Sequence, residues 1–568
     1  MSNIQAHRTL ADLPDTLREA HWVKPGDQTL PVLDVVAIRR VEESAFKQVD
    51  SFLLMQAAGL RSAQRILDWV HAQRLTIAHF LVLAGPGNNG GDACIVAHQL
   101  AVLGMHVQWV NCPGHSEPSA DRQAAERLCI SLLEPTEWPE EGLPLTRDTV
   151  VIDGLLGIGC TRAPEGLIAR IIESVNTQIN MQQGHHQPGR TRVVALDCPS
   201  GLNCSTGQAP GVAMQADLTL SYIACKTGLL DESGKDLCGD IEIDSLNCDD
   251  LLGQAHTAPA LWAHSDHHMR RQLPRRQHRH HKGSYGSVAV VGGQTGMVGA
   301  ALLTARAALA MGAGRVAMTL LAEHTQRSGP WALMPDIEVP GQSCFLDPLW
   351  PELMNKTLDD NLAFAQVLAV GPGLGTSAAS EALLHQVLDT QAARNSGQHL
   401  VLDADALNLL AKDTGLEQAL LHFQSSRAHA STTLTPHPLE AARLLACSVQ
   451  DIQANRYAAT KALSKRFQAT VILKGPATLV ASGEDVSINL TGGPALATGG
   501  SGDVLTGAVA SFLAQGLDSH EAAQCAVWLH GLSVQPFEGM EPLVVSHASQ
   551  ISQRMQAQLN ALLRQHTR

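Results

Sequence analysis

The chain has 568 residues, of which 45% are hydrophobic and 17% charged, and it carries a net charge of −14. That length predicts more than one domain with sizeable cores, and the acidic balance argues against a general nucleic-acid binder. No run of about 18 apolar residues and no apolar leader segment is present, so neither a membrane span nor a signal peptide is expected.

Twelve cysteines occur without a C-x-x-C pair, which predicts reduced thiols in a cytoplasmic protein rather than a disulfide framework or a zinc site. Residues 1 to about 75 carry helical spacing, with Leu53, Leu54, Ala57, Ala58 and Leu60 followed by Ile66, Leu67 and Val70. His79–Ala84 is a short apolar strand that runs into Gly85-Pro86-Gly87-Asn88-Asn89-Gly90-Gly91-Asp92, after which Ile95, Val96 and Leu100 mark a helix. Strand, glycine-rich turn, helix is the start of a nucleotide-binding unit. The two Asn and the Asp add polar groups that a plain turn does not need. Two later strands end alike. Asp148–Ile152 leads into Asp153-Gly154-Leu155-Leu156-Gly157-Ile158-Gly159, and Thr191–Leu196 into Asp197-Cys198-Pro199-Ser200-Gly201-Leu202. In an open α/β sheet such turns gather at the carboxyl ends of the strands, where ligands bind.

These motifs, with Ala216–Leu220 and Lys226–Leu229, resemble the YjeF N-terminal domain, the epimerase of NAD(P)H hydrates, over roughly residues 30–250. The resemblance implies a Rossmann-like three-layer domain. It also implies that Asn88, Asn89, Gly90, Gly91, Asp92, Gly157, Ile158, Gly159, Cys160, Thr161, Arg162, Ala163 and Asp197 contact the dinucleotide hydrate, with Asp197 catalytic. Asn89, Asp153 and Ser200 would hold a potassium ion, and their oxygens suit a hard cation. Ala93 stands where the family often has Gly, with little consequence expected.

Residues 250–283 are rich in His and Arg, from His264 to Lys282. No carboxylates or cysteines sit at ligand spacing there, so a solvated linker is expected over 256–275, between domains at 1–255 and 276–568. Beyond it, Gly286–Val291, Val367–Val370, His399–Leu402, Thr433–Thr435 and Thr470–Leu473 read as strands alternating with helices, which predicts a mostly parallel sheet covered on both faces. Their carboxyl ends carry Gly292–Ala300, Gly371–Gly375, Asp403–Asn408, Pro436–Glu440 and Lys474–Thr478.

Thr498-Gly-Gly-Ser-Gly-Asp503-Val-Leu-Thr-Gly507 opens a last amphipathic pattern, with Leu505, Val509, Phe512 and Leu513 on one helical face. Its glycines let backbone N–H groups approach a phosphate at a helix N-terminus. Asp503 is either a base that takes a proton from an attacking hydroxyl or an ordinary N-cap. His437, between two prolines, either binds substrate or is structural.

This half resembles the ribokinase-like superfamily, and within it the YjeF C-terminal domain, the nucleotide-dependent NAD(P)H-hydrate dehydratase, over about residues 275–565. The resemblance implies that Ala300, Gly373, His437 and Asp503 meet the hydrate, with Asp503 catalytic. It places Lys474, Gly475, Pro476, Ala477, Thr478 and Gly502 at the adenine nucleotide. ADP is expected over ATP because bacterial members use it. Mg²⁺ is expected in this domain, with Asp403 and Asp405 either ordering it or structural, and a homo-oligomer is expected. Two other readings stand beside this one. One is a ribokinase-like small-molecule kinase fused to a non-catalytic Rossmann-like binding domain. The other is a non-catalytic first domain of the kind found in some RNA-decay relatives, against which the intact Asn88, Asn89, Asp92, Asp153 and Asp197 set argues.

Overall fold

The computed structural model describes residues 10–77, 79–114, 117–183, 190–231, 233–252, 261–321, 347–394, 398–426 and 431–565. The chain divides into two compact units, Met1–Ser265 and Asp266–Arg568.

In the first unit the strands are β1 (Leu30–Leu33), β2 (His79–Ala84), β3 (Val107–Asn111), β4 (Thr149–Gly154), β5 (Arg192–Leu196), β6 (Leu218–Tyr222), β7 (Cys225–Lys226), β8 (Asp240–Asp244) and β9 (Leu261–Ala263). Six of them form a parallel sheet in the order β3-β2-β4-β5-β6-β8. Successive strand residues point to opposite faces. Phe80, Val82, Val150, Ile152 and Val194 therefore join a core with the helices Ser51–Ala72 and Asn88–Val102. Leu81, Leu83, Val151 and Val193 join another with Ile171 and Val175 of the helix Gly166–Gln183. Burial on both faces is why these strands read as unbroken apolar runs. β1 pairs with β7 in parallel and with β9 in antiparallel fashion.

The amino-terminal stretch is not helical throughout, because Leu30–Leu33 is a strand; four residues around Pro31 are too few to display a period. The Gly85–Asp92 motif also differs from a simple turn. The helix begins at Asn88 with Gly87 as N-cap, so Asn88–Asp92 form its first turn and a half. Gly90 is there for close approach, since a Cβ would lie 1.9 Å from the Gly85 carbonyl oxygen.

The stretch expected as a solvated linker is folded wherever it is described. Trp262 sits opposite Pro31 in the β1–β9 ladder, with Leu261 and Ala263 buried. Asp266–Gln272 is a helix of the second unit, its Met269 buried and its Asp266 accepting a hydrogen bond from the Trp528 indole at 2.9 Å. Four apolar residues among many cations were enough to anchor it.

In the second unit the strands are β10 (Ser287–Gly292), β11 (Arg315–Leu320), β12 (Met354–Asn355), β13 (Val367–Val370), β14 (His399–Leu402), β15 (Thr432–Leu434), β16 (Thr470–Leu473), β17 (Leu479–Ser482) and β18 (Asp485–Ile488). They run in the order β12-β11-β10-β13-β14-β15-β16-β17-β18, parallel up to β16, after which β17 and β18 turn back as an antiparallel hairpin. The helices Val298–Ala310 and Ser501–Ala514 pack together on one face. Gly507 permits that approach, because a Cβ there would lie 2.1 Å from the Thr304 carbonyl oxygen. The second of these helices is buried on every side from Val504 to Ala514, not on one face only.

Candidate functional site

In the first unit the ends of β2, β4, β5 and β6 open on a cavity of about 1190 Å³. Asn88, Asn89, Asp92, Gly157–Ala163 and Asp197 line it, whereas Gly90 and Gly91 lie behind it, packed on Gly85 and Met55. Asp153 and Ser200 are fully buried. The Asp153 carboxylate accepts from Ser200 Oγ at 2.6 Å, from the Ser200 amide at 2.8 Å and from the Leu155 amide at 3.2 Å. Burial nevertheless raises its pKa to about 6, against those hydrogen bonds. Asn89 donates through Nδ2 to the carbonyls of Leu156 and Leu196, both at 3.0 Å. Its Oδ1 is buried and accepts nothing. A buried oxygen without a donor, in a set that also holds a carboxylate and a hydroxyl, has the chemistry that fits a hard cation such as potassium.

Asp197 has a left-handed backbone, φ 62°. Its carboxylate is held by Lys226, whose ammonium donates to Asp197 Oδ1 at 2.6 Å, Ser221 Oγ at 2.8 Å and the Tyr222 carbonyl at 2.7 Å. All three donors of a buried lysine are thus used, and its charge is committed to Asp197. Two further carboxyls line the same cavity, Asp92 and Glu42. Neither accepts a hydrogen bond from the described residues. Burial, then the nearby Asp197 charge, lifts Asp92 well above the usual range and Glu42 to about 7. Motif reading passed over Glu42 and gave Lys226 no role. Glu42 has no signature beyond a helical position next to buried Val41, and only folding brings it to Asp197.

In the second unit the loops after β10, β13, β14, β15 and β16 meet the start of the helix Ser501–Ala514. Gly373, φ 62°, packs on Met297, and the Gly375 amide donates to Asp405 Oδ2 at 2.8 Å. Gly293, φ 66°, turns the chain toward Ala300 in the first turn of its helix. Lys474 donates to Asp403 Oδ1 at 2.9 Å and lies 4.0 Å from Glu440 Oε2, while Thr506 donates to Asp403 Oδ2 at 2.7 Å. A Cβ on Gly502 would lie 3.3 Å from the Lys474 ammonium, so the missing side chain keeps that ammonium beside the helix start. In the 475–478 turn, Thr478 Oγ1 donates to the Gly475 carbonyl at 3.1 Å; Gly475 and Pro476 are exposed and Ala477 buried.

Asp503 is not an N-cap. Gly500, φ 88°, holds that position, Asp503 lies three residues in, and its carboxylate accepts no hydrogen bond from the described residues. Burial, then the Asp403 charge, raises its pKa to about 7 with Lys474 opposing. Burial would raise Asp403 as well, but the Lys474 charge and the hydrogen bonds of Lys474, Thr506 and Thr435 hold it below the usual value. Two neighbouring carboxyls driven apart in this way mark an acid–base site. His437 is the N-cap of the helix Pro438–Leu445: its Nδ1 accepts from the amides of Leu439 at 3.1 Å and Glu440 at 3.3 Å. Only Nε2 remains for other partners, and it lies 3.3 Å from Glu440 Oε1.

Among the described residues no group of three His, Cys, Asp or Glu side chains is placed to hold a metal. With Asp403 engaged by Lys474 and Thr506 and Asp405 by Gly375, these residues do not fit a resident Mg²⁺. A Mg²⁺ carried on nucleotide phosphates needs no such cage.

Two parallel α/β units, one with a carboxylate-lined cavity and one with a glycine-rich helix start beside an unpartnered aspartate, define a bifunctional enzyme acting on nucleotide-like ligands. Residues 51–228 match the family described as YjeF-related protein N-terminus, and residues 288–556 the family described as NAD(P)H-hydrate dehydratase. The chain is 33% identical over 504 residues to the bifunctional NAD(P)H-hydrate repair enzyme Nnr of Coxiella burnetii, covering 87% of this chain and 92% of that one. It is 33% identical over 523 residues to the enzyme of the same name in Escherichia coli strain K12, covering 90% and 91%. The solved ADP/ATP-dependent NAD(P)H-hydrate dehydratase from Bacillus subtilis, co-crystallized with ATP/Mg²⁺, is 26% identical, covering 52% of this chain and 97% of that one with a TM-score of 0.41. The chain belongs to the family of bifunctional NAD(P)H-hydrate repair enzymes, with an epimerase domain followed by a dehydratase domain.

Proposed function

We propose that the first unit interconverts the two epimers of NAD(P)H hydrate and that the second dehydrates the S epimer, with ADP as phosphoryl donor, in the cytoplasm. The hydrate hydroxyl is a poor leaving group until it is phosphorylated. The Asp503 carboxylate takes its proton, and the freed oxygen attacks the terminal phosphorus of ADP, releasing AMP. The N–H groups at the 499–502 helix start meet the charge on the transferring phosphoryl group. The ring nitrogen then expels phosphate, and loss of a proton from the adjacent carbon restores the nicotinamide double bond. The observation that carries this reading is the state of Asp503: half-buried, accepting no hydrogen bond from the described residues and with a pKa near 7, hence ready to accept a proton at neutral pH.

Lys474, committed to Asp403, offers a fixed positive charge beside that helix start for the nucleotide phosphates. In the first unit Asn89, Asp153 and Ser200 would hold potassium, which supplies a fixed positive charge under the cavity floor. Asp197, fixed by Lys226, is the carboxylate for proton transfer to the hydrate.

The test is incubation with acid-hydrated NADH plus ADP or ATP, following the return of reduced-nicotinamide absorbance. Recovery with ADP faster than with ATP is expected. Faster recovery with ATP would overturn the nucleotide assignment, and no recovery with either would overturn the dehydratase reading.

A further inference from the structure

The epimerase cavity holds more acid than its one assigned carboxylate requires. Asp197, Asp92 and Glu42 all face it, together with a single buried ammonium, Lys226. Lys226 spends its three donors on Asp197, Ser221 and Tyr222, so it neutralises Asp197 alone. Only the guanidiniums of Arg39 and Arg162 remain along the lining to offset two more ionised carboxylates, and such crowding of acids favours protons on some of them.

Glu42 is well held for a role in that exchange. Its helix, Val35–Ala45, is capped by Asp34, whose Oδ1 accepts from the Ala37 amide at 2.7 Å. The helix is pinned to the core by Ile38, Val41 and Ala45 at a spacing of three and four residues. This fixes the direction in which residue 42 projects, along the rim that also carries Arg39. Its carboxyl accepts no hydrogen bond from the described residues.

We propose that Glu42 is a second catalytic residue of the epimerase, working with Asp197 on the hydroxyl-bearing carbon of the hydrate. This rests on the epimerase reading of the first unit. That carbon is bonded to the ring nitrogen. Glu42 as carboxylic acid gives its proton to the hydroxyl as the carbon–oxygen bond breaks, and the nitrogen lone pair forms an iminium while water leaves. Water then adds to the opposite face of the ring, and the Asp197 carboxylate takes the proton that it loses. The result is the other epimer, a Glu42 carboxylate and a protonated Asp197. The reverse turnover, or exchange with solvent, resets the pair. No oxidant or other reactant is needed. The separate propensity of Glu42 to stay protonated near neutrality, caused first by burial and then by Asp197, agrees with the role.

The experiment uses the full chain in water labelled with oxygen-18, with hydrate enriched in one epimer. Wild type should epimerise and place the label in the hydrate hydroxyl. Glu42→Gln should lose roughly 10²–10⁴-fold in kcat with KM changed only a few-fold, and Glu42→Asp should recover part of the loss. Dehydration by the second unit should be unchanged in both, and an unchanged thermal unfolding transition of the first unit reports its intact folding. Epimerisation at the wild-type rate in Glu42→Gln, or epimerisation without label, overturns the proposal while leaving the epimerase reading in place. Absence of epimerisation in wild type overturns the epimerase reading itself.

Discussion

At the scale of single residues, Asp503 makes the sharpest expectation. Asp503→Asn keeps size but cannot take a proton, so dehydration should fall roughly 10²–10⁴-fold while nucleotide binding and epimerisation persist. Full dehydratase activity in the Asn variant would remove Asp503 from the mechanism. Because the base works ionised and its pKa is near 7, the wild-type rate should drop as pH falls below about 7. The same shift predicts a stability effect of definite sign. Folding lifts this carboxyl from its ordinary 3.8, so the folded state holds the proton more tightly. Stability is therefore lost as pH rises through that window, and the whole penalty is present above 7. Thermal melts should show Asp503→Asn gaining over wild type at pH 8, with the gain shrinking toward pH 4. In the first unit, the orphan Asn89 oxygen and buried Asp153 predict a monovalent-cation requirement for epimerisation, with potassium best. Asp153→Ala should abolish both cation response and activity; equal wild-type rates with and without potassium would refute the site.

At the scale of elements, function depends on how closely helices approach. The helices Val298–Ala310 and Ser501–Ala514 meet where Gly507 lies against Thr304 and Ala307. Gly507→Ala would press a methyl into the Thr304 carbonyl and force the helix Ser501–Ala514 to shift. A loss of about 1–3 kcal/mol in the unfolding of the second unit is expected, with dehydration falling and epimerisation kept. Denaturant melts of the isolated second unit measure the first, and a wild-type midpoint there would show that the helices have slack. Gly90 plays the same part in the first unit, where the Gly85 carbonyl occupies the space of a side chain.

For the whole molecule, each unit carries its own hydrophobic cores and its own candidate site. Fragments 1–265 and 266–568 should therefore fold separately, the first epimerising and the second dehydrating. The cut belongs between Ser265 and Asp266, because an earlier one would strip β9 from β1 and a later one would remove the Asp266 contact of Trp528. If neither fragment is soluble and active when expressed alone, the units are not independent.

Much of this was legible in the residues alone. His79–Ala84, Val367–Val370, His399–Leu402 and Thr470–Leu473 coincide with strands because a parallel sheet buried on both faces demands short continuous apolar runs. The polar loop motifs are likewise local, since glycines and carboxylates at strand ends are contiguous in the chain. What only the tertiary structure decided is proximity and burial. Lys226 grips Asp197 from another strand, Lys474 grips Asp403 across 71 positions, and Glu42 reaches their counterpart cavity from the first helix that lines it. The pKa of Asp503 near 7, the helical start at Asn88 and the folding of the His/Arg-rich stretch depend on what packs against them. Composition and period describe a residue's own segment, whereas the charge state of a carboxyl is set by neighbours that the fold alone supplies.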